Sequence, residues 1–223
     1  MKPAKNSKAA CRILIVDDHP LMRHGIAQLL RGEADLMVCG EADSAPRALS
    51  AVRSLKPDLV LADLTMPGVN GLELIKQMRA MHPEVAVLVV SMHDETLYAE
   101  RVLCAGGRGY IMKQEGGGKL IQAIRHVRSG RVYVSERVNA QVLEKLTGKP
   151  APVHPPGIGQ LTDRELEVLR LIGQAREARQ IARELGMSRK TVEAHRLSIK
   201  RKLKLRSGPE LTRYAVLWVE SGN

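Results

Sequence analysis

The sequence predicts an α/β domain built on a five-stranded parallel sheet, followed by a separate all-helical domain. Three observations carry this. Over about the first 130 residues, short apolar runs alternate five times with amphipathic helical patterns, the alternation that builds a parallel sheet covered by helices on both faces. Between Gly148 and Gly157, Pro150, Pro152, Pro155 and Pro156 interrupt every pattern and favour an extended, semi-rigid tether. Beyond Leu161, apolar residues recur only at helical spacing.

The strands follow in order. Arg12-Ile13-Leu14-Ile15-Val16 reads as a buried strand ending in Asp17-Asp18-His19, and Pro20 suits the first turn of a helix reaching about Leu30. Met37–Gly40 is a short second strand. Ser44 is placed to cap a helix to Leu55, with Ala45, Ala48, Leu49 and Val52 on one face. Leu59–Ala62 is uninterruptedly apolar, as a strand buried on both faces must be, and it ends in Asp63 ahead of the breaker Pro67-Gly68. A carboxylate in that place is a reactive group, a metal ligand or a cap. Asn70 opens the next helix, with Glu73 in a capping-box-like position and Leu72, Ile75 and Met78 facing a core. Val85–Val90 is the fourth strand and stops at Ser91; Asp94 caps a helix through Ala105. Gly109–Met112 is the fifth and stops at Lys113, before a helix lined by Leu120, Ile121, Ile124 and Val127.

Composition narrows the classes. The 223 residues carry a formal charge of +11, which favours an anionic partner. There is no Phe and a single Trp, so aliphatic side chains do the packing. Cys11, Cys39 and Cys104 sit scattered in apolar stretches without metal spacing and read as reduced thiols. The opening residues, with Lys2, Lys5 and Lys8, read as a basic tail rather than a signal peptide, and no run reaches the roughly 20 apolar residues of a membrane span. A soluble, cytoplasmic protein without membrane insertion is expected.

Four of the five strands end in reactive polar residues: Asp17 and Asp18, Asp63, Ser91 and Lys113. In a parallel sheet all carboxyl ends share one edge, where open α/β sheets bind ligands. Carboxylates packed together cannot all stay ionised without compensation. A divalent cation supplies it, and hard oxygen ligands suit Mg²⁺.

Asp17-Asp18, Asp63 with Met66-Pro67-Gly68, Ser91, and Tyr110 three residues before Lys113 resemble the receiver domain of bacterial two-component response regulators, over about 120 residues. The resemblance implies a flavodoxin-like receiver fold in which Asp63 accepts a phosphoryl group from a sensor histidine kinase. It further implies that Asp18, Asp63 and the backbone carbonyl of Thr65 hold Mg²⁺, with Asp17 acting mainly from behind these ligands. Lys113 would pair with the phosphoryl group, Ser91 would hydrogen-bond it, and Tyr110 would swing inward when Ser91 moves. Two features depart from the family pattern. Gln114 stands where many receivers have proline, and Gly116-Gly117-Gly118 opens the last helix, which predicts a frayed helix start and a loosely held Lys113.

The second half opens with a helical pattern over Tyr133–Leu146 and, after the tether, a capping box at Thr162–Glu165. A helix with Leu166, Val168, Leu169 and Ile172 follows, then a second to about Leu185 with Gly186 at its end. Ser188 caps a third to about Leu203, and Ser207–Glu210 opens a fourth through Val219. Two helices joined by a glycine-containing turn, the second of them basic, read as a helix-turn-helix. On the third helix Val192, His195, Ile199 and Leu203 form the core face. Lys190, Ala194, Leu197, Ser198 and Arg201 lie opposite, with Glu193 and Lys200 on the flank.

Leu161–Leu169 and Ser188–His195 resemble the four-helix DNA-binding domain of NarL/FixJ (LuxR-type) regulators. The resemblance implies that the third helix enters the major groove, with Arg189, Lys190, Thr191, Glu193, Ala194, Leu197, Lys200 and Arg201 as the contact set. It also implies that the fourth helix helps form a dimer. Leu211, Ala215 and Trp218 share a stripe that serves either this contact or the domain's own interior. Ala175 and Glu177 stand where the family usually has a glycine and a serine cap. Glu193 is suited to accept from a cytosine.

Joined, these readings describe a transcription factor whose binding to double-stranded DNA is controlled by phosphorylation of Asp63. The expected organisation is a receiver at 11–131, a linker helix and tether at 132–158, and a DNA-binding domain at 159–223. Its expected partners are a sensor histidine kinase, a second copy when phosphorylated, and RNA polymerase. By family likeness the unphosphorylated receiver masks the third helix. Two alternatives stand beside this reading: a phosphorylation-independent regulator with a degenerate receiver, and a Mg²⁺-dependent phosphohydrolase of the haloacid dehalogenase type. The second places its nucleophile on the first strand, whereas here the phosphoacceptor candidate follows the third.

Overall fold

The computed structural model describes residues 10–66, 69, 71–146 and 157–220. The basic tail, the Pro67-Gly68 breaker, the Asn70 helix opening and the tether at 148–156 with His154 lie outside the described residues. The chain divides into two compact units, Met1–Met92 with Ala99–Ser135, and His93–Tyr98 with Glu136–Asn223.

Across residues 11–128 the expected alternation is realised. The strands are β1 (Cys11–Val16), β2 (Leu36–Ala42), β3 (Leu59–Ala62), β4 (Ala86–Ser91) and β5 (Gly109–Met112). Between and after them run α1 (Pro20–Arg31), α2 (Ala45–Leu55), α3 (Gly71–Met81), α4 (Glu95–Ala105) and α5 (Gly117–Arg128). All strand pairings are parallel, in the order β2-β1-β3-β4-β5. Ile13, Ile15, Leu59, Leu61, Leu88, Val90 and Ile111 pack on one face with Ile26 and Leu30 of α1 and Leu120, Ile124 and Val127 of α5. The alternate residues Leu14, Val16, Val60, Val87 and Val89 are buried as well. Burial on both faces is why these strands read as continuous apolar runs rather than as alternating ones.

Order 2-1-3-4-5 reverses direction between β1 and β3, the point at which a doubly wound sheet opens a crevice at its carboxyl edge. Register decides which residues meet there. Val16 pairs with Ala62, so Asp17 and Asp63 leave the sheet side by side, and the Asp63 amide donates to Val16 O at 2.8 Å. Ser91 pairs with Met112, and the Lys113 amide donates to Ser91 O at 2.7 Å. Local detail differs in one place. Ser44 occupies the N-cap of α2, but its hydroxyl donates to Asp43 Oδ1 at 3.0 Å and makes no cap bond. The neighbouring carboxylate is the stronger acceptor, and Pro46 in the first turn removes one amide needing a cap.

The second unit contains α6 (Glu136–Leu146), a 3₁₀ turn (Ile158–Gln160), α7 (Asp163–Gly173), α8 (Ala178–Glu184), α9 (Arg189–Lys202) and α10 (Gly208–Glu220). The α7 capping box is complete: the Glu165 amide donates to Thr162 Oγ1, and the Thr162 amide donates to Glu165 Oε2 at 2.7 Å. Ser188 caps α9 by accepting from the Thr191 amide at 3.0 Å. At α10 the box is displaced by one residue. Ser207 accepts from the Glu210 amide at 3.2 Å, while Glu210 reaches back to the Arg206 amide at 2.7 Å. Gly186, with φ of 62°, turns the chain between α8 and α9. Ala175 lies between α7 and α8 with φ of 59°, a left-handed conformation that favours glycine.

Candidate functional site: an acidic pocket and a basic helix

At the carboxyl edge of the sheet, Asp17, Asp18, His19 and Asp63 each offer one ligand atom, and these atoms lie within 4.8 Å of one another. Asp17 and Asp63 are buried and Asp18 is partly open. Lys113, with 5 % of its side chain exposed, places Nζ 2.6 Å from Asp17 Oδ2 and 2.8 Å from Asp63 Oδ2. Asp17 is held further: its Oδ1 accepts from the His19 amide at 2.8 Å, and its carbonyl accepts from the Arg23 guanidinium at 2.6 Å. Asp63 Oδ1 is buried and has no hydrogen-bond partner.

Electrostatics follow from burial and charge. Burial pushes the Asp63 carboxyl above its ordinary pKa, and Asp17 adds to the rise; Lys113 and the Thr65 amide pull it back without cancelling it. Burial pulls Lys113 down, but Asp63 and Asp17 outweigh it and hold the ammonium above its usual range. Three carboxylates against one ammonium leave the pocket two negative charges in excess, the charge of one divalent cation. The donor set is oxygen-rich with one imidazole, and a buried oxygen is left without a partner, so the residues fit such an ion.

Ser91 is fully buried at the end of β4, and Thr65 is half-buried two residues beyond Asp63. One expectation is corrected. Lys113 is not loosely held: two buried carboxylates set its position, and it precedes α5, so glycines in that helix do not govern it. Tyr110 on β5 is buried, with 1 % of its surface exposed.

The second cluster is α9. Arg189, Lys190, Thr191, Glu193, Ala194 and Arg201 are exposed, Leu197 is 65 % exposed, and Lys200 is partly open. Val192, Ile199 and Leu203 are buried on the opposite side and His195 is half-buried. Glu193 Oε2 lies 3.8 Å from Arg196 Nε. The stripe of Leu211, Ala215 and Trp218 on α10 is buried within the chain. A side chain at Gly173 of α7 would strike the Ala215 carbonyl at 2.4 Å, so α10 lies directly on α7 there. The dimer contact expected of these three residues is therefore corrected: they form the domain's interior.

Residues 13–125 match the response regulator receiver domain family, and residues 159–215 match the bacterial regulatory proteins of the luxR family. The chain belongs to the NarL/FixJ (LuxR-type) response regulators. This regulator is 38% identical over 205 residues to "Response regulator GacA" of Pseudomonas viridiflava, spanning 92% of this chain and 95% of that one. It is 34% identical over 209 residues to the "Nitrate/nitrite response regulator protein NarL" of Escherichia coli K12, spanning 93% and 94%. Among solved structures it is similar to the RcsB response regulator of Salmonella typhimurium, with a TM-score of 0.71 and 25% identity over 93% of this chain and 98% of that one. RcsB bound to promoter rprA with the phosphomimetic BeF3⁻ gives a TM-score of 0.67, 25% identity and the same coverage. The regulator thus combines a receiver with a LuxR-type DNA-binding domain and acts as a two-component transcription regulator.

Two groups of the regulator do more than sequence reasoning assigns them. His19 belongs to the acidic cluster; its position directly after Asp17-Asp18 was the available signal. Beyond capping α7, Glu165 Oε2 also accepts from Lys202 Nζ at 2.6 Å, tying the start of α7 to the end of α9. Burial pushes that carboxyl up, but Lys202, Ser198 and Thr162 reverse this and bring it to about 2. No sequence spacing marks a pair 37 residues apart.

Proposed function

We propose that Asp63 is the phosphoacceptor and that its phosphorylation by a sensor histidine kinase controls DNA binding through α9. The observation that carries this is the state of Asp63: buried at the switch point of the sheet, one oxygen on Lys113 and the other without a partner. A carboxylate so placed is positioned to attack a phosphorus atom. The new P–O bond forms as the P–N bond to the donor histidine breaks, and the leaving imidazole takes up a proton. Such transfer depends on positioning and on neutralising oxygen charge. Asp18, Asp63 and the Thr65 backbone carbonyl would hold Mg²⁺, with Asp17 beside them, and the ion would supply part of that neutralisation. Lys113 lies within reach to follow the transferred group, and Ser91 at the end of β4 would hydrogen-bond it, with Tyr110 as the linked switch residue.

On the DNA side, Arg189, Lys190, Thr191, Lys200 and Arg201 would engage backbone phosphates, while Glu193, Ala194 and Leu197 would face base edges. DNA binding as a phosphorylated homodimer, action on RNA polymerase and a cytoplasmic location complete the reading; no described helix is long and apolar enough to cross a membrane. The test is acetyl phosphate with Mg²⁺ on wild type and Asp63→Asn, followed by mass and by binding to duplexes selected from a random pool. A single phosphoryl adduct on wild type alone, with tighter DNA binding, is expected. Equal labelling of Asp63→Asn, or labelled protein with unchanged DNA affinity, would refute it.

A further inference from the structure

The acidic pocket contains a nitrogen donor that the phosphorylation reading does not use. We propose that His19 is a direct ligand of the bound cation, making the pocket a mixed nitrogen–oxygen site that favours late first-row ions such as Ni²⁺ over Mg²⁺. This rests on the reading of Asp18 and Asp63 as cation ligands.

His19 is the N-cap residue of α1, a place where a side chain ordinarily turns forward to accept from the helix amides. Its imidazole makes no such bond. Nδ1 turns back instead, to 2.9 Å from Asp18 Oδ1 and 3.2 Å from Asp17 Oδ1. Ligands at adjacent corners of an octahedral ion with bonds of about 2.1 Å stand about 3 Å apart, and those at opposite corners about 4.2 Å. The His19–Asp18 distance of 2.9 Å matches the first spacing, and the ligand atoms of Asp18, His19 and Asp63 fall within the same 4.8 Å envelope. The residue is anchored through its backbone amide on Asp17, and 66 % of the side chain is exposed, which gives an ion a way in. The buried, unpartnered Asp63 Oδ1 supplies an independent sign that a ligand belongs in the cluster.

The chemistry sets the preference. Carboxylate and carbonyl oxygens suit Mg²⁺, whereas imidazole suits Ni²⁺, Cu²⁺ and Zn²⁺, whose affinities for a given donor set exceed those of earlier ions. With an ion bound, Nδ1 would offer it a lone pair while the ring proton is carried on Nε2. A late first-row ion would then compete with Mg²⁺ for Asp18 and Asp63, so the same pocket that accepts phosphate would respond to metal supply.

Calorimetric titration of the full chain with Ni²⁺ alone and with Mg²⁺ alone tests this on wild type, His19→Ala and His19→Asn, with Asp18→Asn marking which Ni²⁺ signal belongs to the pocket. In wild type, Ni²⁺ binds the pocket at least about tenfold more tightly than Mg²⁺. In both His19 variants that Ni²⁺ affinity falls about tenfold or more, while Mg²⁺ affinity stays within about twofold. Unchanged Ni²⁺ affinity in the variants would reduce His19 to a hydrogen-bond partner and overturn the inference, with the acidic site intact. Equal loss of Mg²⁺ and Ni²⁺ would overturn the selective role. Failure of wild type to bind either ion would refute the underlying cation site as well.

Discussion

Lys113 and Asp63, 50 residues apart in the chain, meet at 2.8 Å on the carboxyl edge of the sheet. The same ammonium reaches Asp17 at 2.6 Å, so one cation holds two buried carboxylates together. Removing one partner of a buried pair leaves the other charge uncompensated, at about 3 kcal/mol. Lys113→Met is therefore expected to lower the stability of the Mg²⁺-free protein by about that amount. It also raises the excess negative charge of the pocket, so Mg²⁺ should bind the variant more tightly and recover more of its stability than in wild type. Denaturant unfolding with and without Mg²⁺ checks both signs.

Glycines near the pocket divide by what surrounds them. A Cβ on Gly71, the first residue of α3, would lie 2.3 Å from the Asp63 carbonyl oxygen and 2.7 Å from Leu64 Cα. Both are backbone atoms that cannot step aside. Gly71→Ala should cost about 1–3 kcal/mol and slow labelling by acetyl phosphate. Gly118 has open space, and Gly118→Ala should stabilise the start of α5 by about 0.5–1 kcal/mol. Opposite shifts in thermal midpoint distinguish the two.

Ala175 holds a φ of 59°, a left-handed conformation that favours glycine. A side chain in that conformation costs about 1–2 kcal/mol, offset in part by glycine's greater freedom when unfolded. Ala175→Gly is expected to stabilise the helix-turn-helix half by about 0.5–1 kcal/mol without altering DNA affinity. The single Trp, Trp218, lies in the same half and reports its unfolding by fluorescence.

Glu165 is brought to a pKa of about 2 from its ordinary 4.5, so its folded-state pKa is depressed. A depressed carboxylate contributes stability above its unfolded pKa and loses it as pH falls through the folded value. The contribution should be present above about pH 4.5 and disappear toward pH 2. Glu165→Gln should destabilise this half by about 2 kcal/mol at neutral pH and flatten the acid limb of its stability curve, as followed by Trp218 fluorescence across that range.

The cations of α9 should not contribute equally to DNA binding. Arg201 is exposed, whereas Lys202 is committed to Glu165 at 2.6 Å. Arg201→Ala is expected to weaken binding and reduce the slope of log affinity against log salt by about 1. Lys202→Ala should leave the slope nearly unchanged and act through stability instead. Salt titrations of the two variants separate these outcomes.

Much of this molecule was legible in its sequence because the signals are local. Four-residue apolar runs such as Leu59–Ala62 need burial on both faces, and alternation with helices permits a parallel sheet. Ser188 and the Thr162–Glu165 box announce helix starts, and the charge and apolar periodicity of α9 separate its contact face from its core face. Chain order also determined that Asp17, Asp18, Asp63, Ser91 and Lys113 stand at strand ends. Tertiary structure alone decided what those ends do to one another. Strand register set Asp17 beside Asp63, and their combined field fixed Lys113 whatever the glycines of α5 prefer. Packing of α10 on α7 turned an ambiguous stripe into interior, and the backbone turn at α1 aimed His19 at the carboxylates. These outcomes depend on distances between residues far apart in sequence, and no local pattern encodes a distance that only folding creates.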